Sequence, residues 1–225
     1  MAGLLAGCAG TLDAAETRRV ITVTGTGTVS VRPDVAVVTL GAEARRPALA
    51  EAVADVGGRM TAVLARLQAL GIADRDVRTV TYAIEPRAAS PRPDDDPPRI
   101  TAYHVANIVQ VKVRKLDGAA ALIEAAITAG ANTVRGIAFT VEDPSPAQTE
   151  ARALAVRDAA SRARSIADAA GVTLGAVLSI TESGGVRPVA ARMDAMAMSA
   201  PGPVQAGQLD VVVTVEARYE IGPTR

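Results

Sequence analysis

Tryptophan is absent from this chain, cysteine and histidine occur once each, and aromatic residues make up only 2% of its 225 residues. Each shortage excludes something. A single thiol, Cys8, cannot form an internal disulfide, so any fold must rest on its apolar core. A single imidazole, His104, offers no histidine cluster for a metal and no second histidine for proton relay. Few aromatics means no stacking platform for single-stranded nucleic acid. An excess of charge of one sign is also missing, with 24 Lys and Arg against 24 Asp and Glu. Without a basic track to release counterions from phosphates, nucleic acid is excluded as a partner. No uninterrupted apolar run approaches the roughly 18 residues that span a bilayer as a helix.

What the chain does have is apolar residues, 49% of the total, enough to bury a substantial core. Their spacing alternates between two periods. Thr22–Val31 and Val35–Glu43 read as strands about the turn signal Arg32-Pro33-Asp34. Gly25 and Gly27 lack the third glycine and following helix of a dinucleotide-binding loop, so that reading fails on context. From Pro47, the positions Leu49, Val53, Val56, Met60, Val63, Leu67 and Leu70 form one stripe of an amphipathic helix that Gly71 ends. Gly57 and Gly58 inside it suggest a close approach to another backbone.

Val77–Glu85 is a strand, Pro86–Arg99 is a proline-rich loop carrying Asp94, Asp95 and Asp96, and Tyr103–Arg114 is a strand of clean alternation. Asp117 suits the cap of a helix running to Ala129, with Ile123, Ala126 and Ile127 inward and Gly130 as its stop. After a strand at Thr133–Glu142, Ser145, Pro146 and Gln148 spell a capping box for a long helix to Ala170. The stripe Val156, Ala159 or Ala160, Ala163, Ile166 or Ala167, and Ala170 is small enough to lie close on a sheet. Strands at Val172–Glu182 and Asp210–Ile221 follow, separated by a long loop. The order ββαββαβαββ predicts an α+β fold, a mainly antiparallel sheet with helices packed on one face.

At the front, Leu5-Ala6-Gly7-Cys8 fits the apolar-small-small-Cys box of a bacterial lipoprotein leader. Acylation of the Cys8 thiol would anchor the chain, at about 0.8 kcal/mol per buried CH₂. A leader wants a basic start and about 7–15 apolar residues, whereas only six residues, Ala2–Gly7, lie between Met1 and the cysteine. The true start is therefore expected upstream, with residues 1–19 a truncated leader and tether. Ala9, in place of an aspartate after the cysteine, leans toward the outer membrane.

Several stretches resemble one family. VTGTGTVSVRPDVAVVTLG (Val23–Gly41), LGIADRDVRTVTYAIEP (Leu70–Pro86), AYHVANIVQVKV (Ala102–Val113), AGANTVRGIAFTVED (Ala129–Asp143) and GVTLGAVLSITE (Gly171–Glu182) resemble, in order, the SIMPL-domain proteins of the bacterial envelope. The resemblance covers about residues 20–222. It implies export to the periplasm and a place beside periplasmic immunogenic proteins and proteins linked to oxidative-stress defence. It brings no catalytic residue and no cofactor, and a lipobox is not general in the family.

The residues leave three readings of function. The first is a non-enzymatic envelope domain, lipid-anchored at Cys8, that associates with itself as a homo-oligomer or with an envelope protein. The second uses Met193, Met196 and Met198, whose thioethers suit Cu(I) or can absorb oxidant; the same side chains also suit an adaptable apolar contact. The third is a hydrolase, which requires a pocket that gathers His104 and carboxylates.

Overall fold

The computed structural model describes residues 19–89, 99–183, 189–190 and 206–224. Its elements run β1 (Val20–Val31), β2 (Val35–Arg46), α1 (Leu49–Ala69), β3 (Val77–Ala88), β4 (Ile100–Val113), α2 (Ala119–Ala129), β5 (Thr133–Thr140), α3 (Ser145–Ala170), β6 (Val172–Ser183), β7 (Val189–Ala190) and β8 (Leu209–Thr224). The expected order holds, with the two-residue β7 added, and the fold is α+β. The strands divide between two sheets. One runs β3-β4-β2-β5 and the other β1-β8-β6, with β7 also on β8. The chain correspondingly forms two compact units: β2–β5 with α1 and α2 in one, and β6 with most of α3, β1 and β8 in the other.

In the β3-β4-β2-β5 unit, alternation places Ala36, Val38, Leu40, Ala42 and Ala44 of β2 on the same face as Val105, Val109, Val111 and Val113 of β4. α1 covers that face with Val56, Met60, Val63 and Leu67, and α2 adds Leu122 and Ala126. Burying a side chain of this kind contributes roughly 1.5–3 kcal/mol. α1 begins two residues past Pro47, with Ala48 as its extended cap. A Cβ added at Gly57 or Gly58 meets nothing within 4 Å, so among the described residues neither glycine marks a close approach. Asp117 does not cap α2: it lies in a short 3-10 turn, Leu116–Gly118, and Gly118 precedes the helix without a side-chain bond. Ile127 is correspondingly exposed, and Leu122 takes the inward position. β3 continues three residues beyond Glu85, pairing Pro86 with Tyr103. An edge strand tolerates that proline because its outer N–H has no ladder partner to lose.

In the other unit, Val213, Val215, Ala217 and Tyr219 of β8 form the buried row that alternation predicts. The buried row of α3 is Ala151, Ala155, Ala159, Ala163 and Ala167, every fourth residue. It differs from the expected stripe: Val156 is half-buried, Ala170 is exposed and Ile166 is exposed. The partner strand sets the choice. A Cβ on Gly25 would stand 2.2 Å from the Ala155 carbonyl oxygen, and one on Gly27 would stand 1.9 Å from that of Ala151. The two glycines of β1 therefore exist to let α3 lie on the strand, not to cradle a phosphate. The start of α3 also differs. Asp143 Oδ1 accepts from the Ser145 N–H at 3.0 Å, and the first helical bond runs from Gln148 N–H to the Pro144 carbonyl. Ser145 is thus the first helical residue, and Asp143 serves it as acceptor. Gly71, Gly130 and Gly171 each follow a helix at positive φ (85°, 125° and 68°), where a side chain would be strained.

Candidate functional site

His104 sits in the middle of β4, directly opposite Glu85 of β3 and Arg45 of β2. Glu43 lies two residues before Arg45 on β2, so it points to the same face as His104, diagonally across the strand pair. The geometry closes accordingly. His104 Nε2 lies 3.3 Å from Glu43 Oε2, and Nδ1 lies 3.8 Å from Glu85 Oε2. Arg135 of β5 donates to Glu43 Oε1 at 3.2 Å. Asn132, just ahead of β5, accepts from the Glu43 N–H at 2.8 Å and donates to its carbonyl at 2.7 Å. Three strands, β2, β4 and β5, thus set one carboxylate against the imidazole.

An imidazole oriented by a carboxylate is half of a general-base arrangement. The other half requires a group to activate. No hydroxyl or thiol is hydrogen-bonded to His104 among the described residues, and Nδ1 is buried without a hydrogen bond. Among the described residues no group of three or more His, Cys, Asp and Glu side chains is placed to hold a metal ion. The clefts beside α1 and α2 are lined by other residues: Met60, Leu64, Asn107 and Val109 in one, Ile72, Lys112, Arg114 and Leu122 in another.

A second cluster is an ion-pair clamp. Arg114, at the end of β4, holds Asp76 through Nη1 at 2.6 Å and Nη2 at 3.0 Å. The same guanidinium holds Glu142 through Nε at 2.7 Å and Nη2 at 2.6 Å. Asp34, in the turn before β2, accepts from the Glu142 N–H at 2.8 Å. Hydrogen bonds from Arg114 are the main reason that the carboxyls of Asp76 and Glu142 lie below the ordinary carboxylate range, against the opposing effect of burial. The two carboxylates raise the Arg114 pKa in turn. Asp76 is the one buried charged side chain among the described residues, and this pairing is what permits its burial. The clamp ties strand ends together and presents no open chemistry.

The strand edges are the remaining feature. β1 closes its own: the Thr26 N–H donates to Asp158 Oδ2 of α3 at 2.9 Å, which is the leading reason the Asp158 carboxyl is lowered. β3 carries Arg78, Glu85, Pro86 and Arg87, residues that discourage pairing. β6 differs. It has no charge and no proline from Val172 to Thr181, and Val177, Leu178 and Ile180 are 48%, 36% and 45% exposed. At its end Glu182 is held by Arg152 at 2.7 Å. Cys8, Met193, Met196, Met198 and the Asp94–Asp96 run lie outside the described residues.

Glu43 and Glu85 were not legible as partners of His104, because they lie on other strands and only the register brings them together. The same holds for Asp76 and Glu142 about Arg114.

Fold and site define an α+β domain of two antiparallel sheets, with Asp76, Arg114 and Glu142 paired at strand ends and apolar side chains exposed on β6, which is an edge strand among the described residues. The chain belongs to the SIMPL family, described as a protein of unknown function (DUF541), whose model matches residues 21–219. It is 32% identical over 210 residues to the 26 kDa periplasmic immunogenic protein of Brucella melitensis, covering 89% of this chain and 84% of that protein. The protein of the same description in Brucella abortus matches equally. It is also 30% identical over 160 residues to the uncharacterized protein YggE of Edwardsiella ictaluri, covering 71% of this chain and 66% of that protein.

Proposed function

We propose that the chain is a non-enzymatic domain of the bacterial envelope, facing the periplasm and held by lipid at Cys8, that works by associating through the free edge of β6. The partner is another copy of the chain or a second envelope protein. The observation that carries this reading is the uncharged, proline-free edge of β6 with Val177, Leu178 and Ile180 turned to solvent. An edge of that kind invites strand pairing unless something covers it. The periplasmic description of the Brucella relatives supports the location. The His104 cluster supports a non-enzymatic role, since among the described residues the imidazole beside Glu43 is hydrogen-bonded to no hydroxyl or thiol.

Sedimentation of the full chain, with Leu178→Lys and Ile180→Lys as variants, tests the reading. Association that either charge abolishes, in a variant whose far-ultraviolet spectrum is unchanged, is the expected result. A monomer at every concentration that also captures no envelope protein would end it.

A further inference from the structure

We propose that the cleft between α1 and the β3–β4 pair is a binding site for a small apolar molecule that carries one hydrogen-bond donor. The cleft has a volume of about 270 Å³ and its walls are Met60, Leu64 and Gln68 of α1, Asp74 just ahead of β3, Val77 and Thr79 of β3, and Asn107 and Val109 of β4. Met60 and Val109 form a dry floor, each 2% exposed, and Leu64 stands at the mouth, 36% exposed.

Asn107 is the anomaly. It occupies the α1-facing register of β4, in line with Val105, Val109, Val111 and Val113, where every neighbour in the row is an aliphatic core residue. Its Oδ1 is buried and has no hydrogen-bond partner. A buried acceptor left unpaired costs about 1–3 kcal/mol, and valine at that register would remove the cost. The other polar groups of the wall do not relieve it. The Gln68 amide donates instead to Asp74 Oδ1 at 2.8 Å, and the Thr79 hydroxyl makes no bond to Oδ1. Gln68 and Asp74 also line the cleft but are spent on each other, so the donor that Oδ1 lacks comes from whatever molecule occupies the cleft.

The chemistry that fits follows from the lining. An apolar body replaces water along the methionine and valine walls, and one N–H or O–H meets Asn107 Oδ1. An apolar cavity of roughly 150 Å³ holds a benzene ring, so this cleft accommodates a fused bicycle with one polar edge. The site is independent of association through β6 and lies wholly within the β3-β4-β2-β5 unit.

Indole and benzofuran make the test, because they share a shape and differ in that indole has an N–H where benzofuran has an oxygen. Titration of the full chain, followed by calorimetry and by amide chemical shifts, is expected to show saturable indole binding with shifts at Thr79, Asn107 and Val109. Indole should bind about tenfold more tightly than benzofuran, the value of one hydrogen bond to an otherwise unpaired acceptor. Asn107→Leu should bind the two equally. Should that variant not fold, Leu64→Trp at the exposed mouth should weaken both ligands together. Equal affinities in the parent chain, no saturable binding, or an indole preference that survives Asn107→Leu would each overturn the proposal.

Discussion

Gly27→Ala places one methyl group where the structure has no room for it. The added carbon would lie 1.9 Å from the Ala151 carbonyl oxygen, 2.6 Å from the Ala155 nitrogen and 2.8 Å from Leu154 Cβ. Two of those three atoms are helix backbone, which cannot rotate aside as a side chain can. Overpacking costs about 1–3 kcal/mol, and rigid backbone neighbours put this site at the upper end. Removing a strand glycine returns about 0.5–1 kcal/mol through the unfolded chain, which leaves a net loss of about 2 kcal/mol. For a chain of this size that is a fall in Tm of about 4–8 °C. Gly58→Ala is the control, since its added carbon meets nothing within 4 Å and it sits inside α1. The same chemical change should there raise stability by about 0.4–1 kcal/mol. Thermal and urea unfolding followed by circular dichroism reads both. A Gly27→Ala variant as stable as the parent would refute the close approach of β1 and α3, and with it the explanation of the Gly25–Gly27 pair.

Other consequences follow from single groups. Asp76 and Glu142 have folded pKa values below their unfolded ones, so between the two the unfolded chain binds more protons. Their contribution is complete only above the unfolded carboxyl range, from about pH 5 upward, and is lost as pH falls through the lowered values. Arg114→Gln should therefore lower the urea midpoint at neutral pH and flatten its decline on the acid side, the two proteins converging at the lowest pH. An unchanged acid limb would count against the clamp. Asn132→Ala removes both hydrogen bonds to the Glu43 backbone and should cost about 1 kcal/mol in urea unfolding, its exposure moderating the loss. Protein purified from membranes of its native host should have an intact mass that begins at acylated Cys8; a soluble form with a free Cys8 thiol would remove the anchor from the proposal.

Much of the fold was legible because its signals are local. The alternation of Val109, Val111 and Val113, and of Val211 through Tyr219, needs only a period of two to be read. The α1 stripe likewise needs only 3.6. The face of α3 was harder, since alanine recurs on several sides of that helix and composition cannot choose among them. Gly25 and Gly27 make the choice, and they lie on a strand more than a hundred residues away. The division of strands into two sheets is a matter of pairing between distant segments, as are Glu43 and Glu85 beside His104. No spacing within one stretch encodes such a register. The unpaired oxygen of Asn107 likewise depends on what α1 places opposite it, which no single stretch encodes.

Association through β6 is tested most directly by sedimentation velocity of the full chain over a hundredfold range of concentration, with Leu178→Lys run beside it. The expected result is a species larger than the monomer in the parent chain and a monomer in the variant. A parent chain and variant that associate alike, both with themselves and with any envelope protein they capture, would contradict the assignment of the β6 edge as the contact.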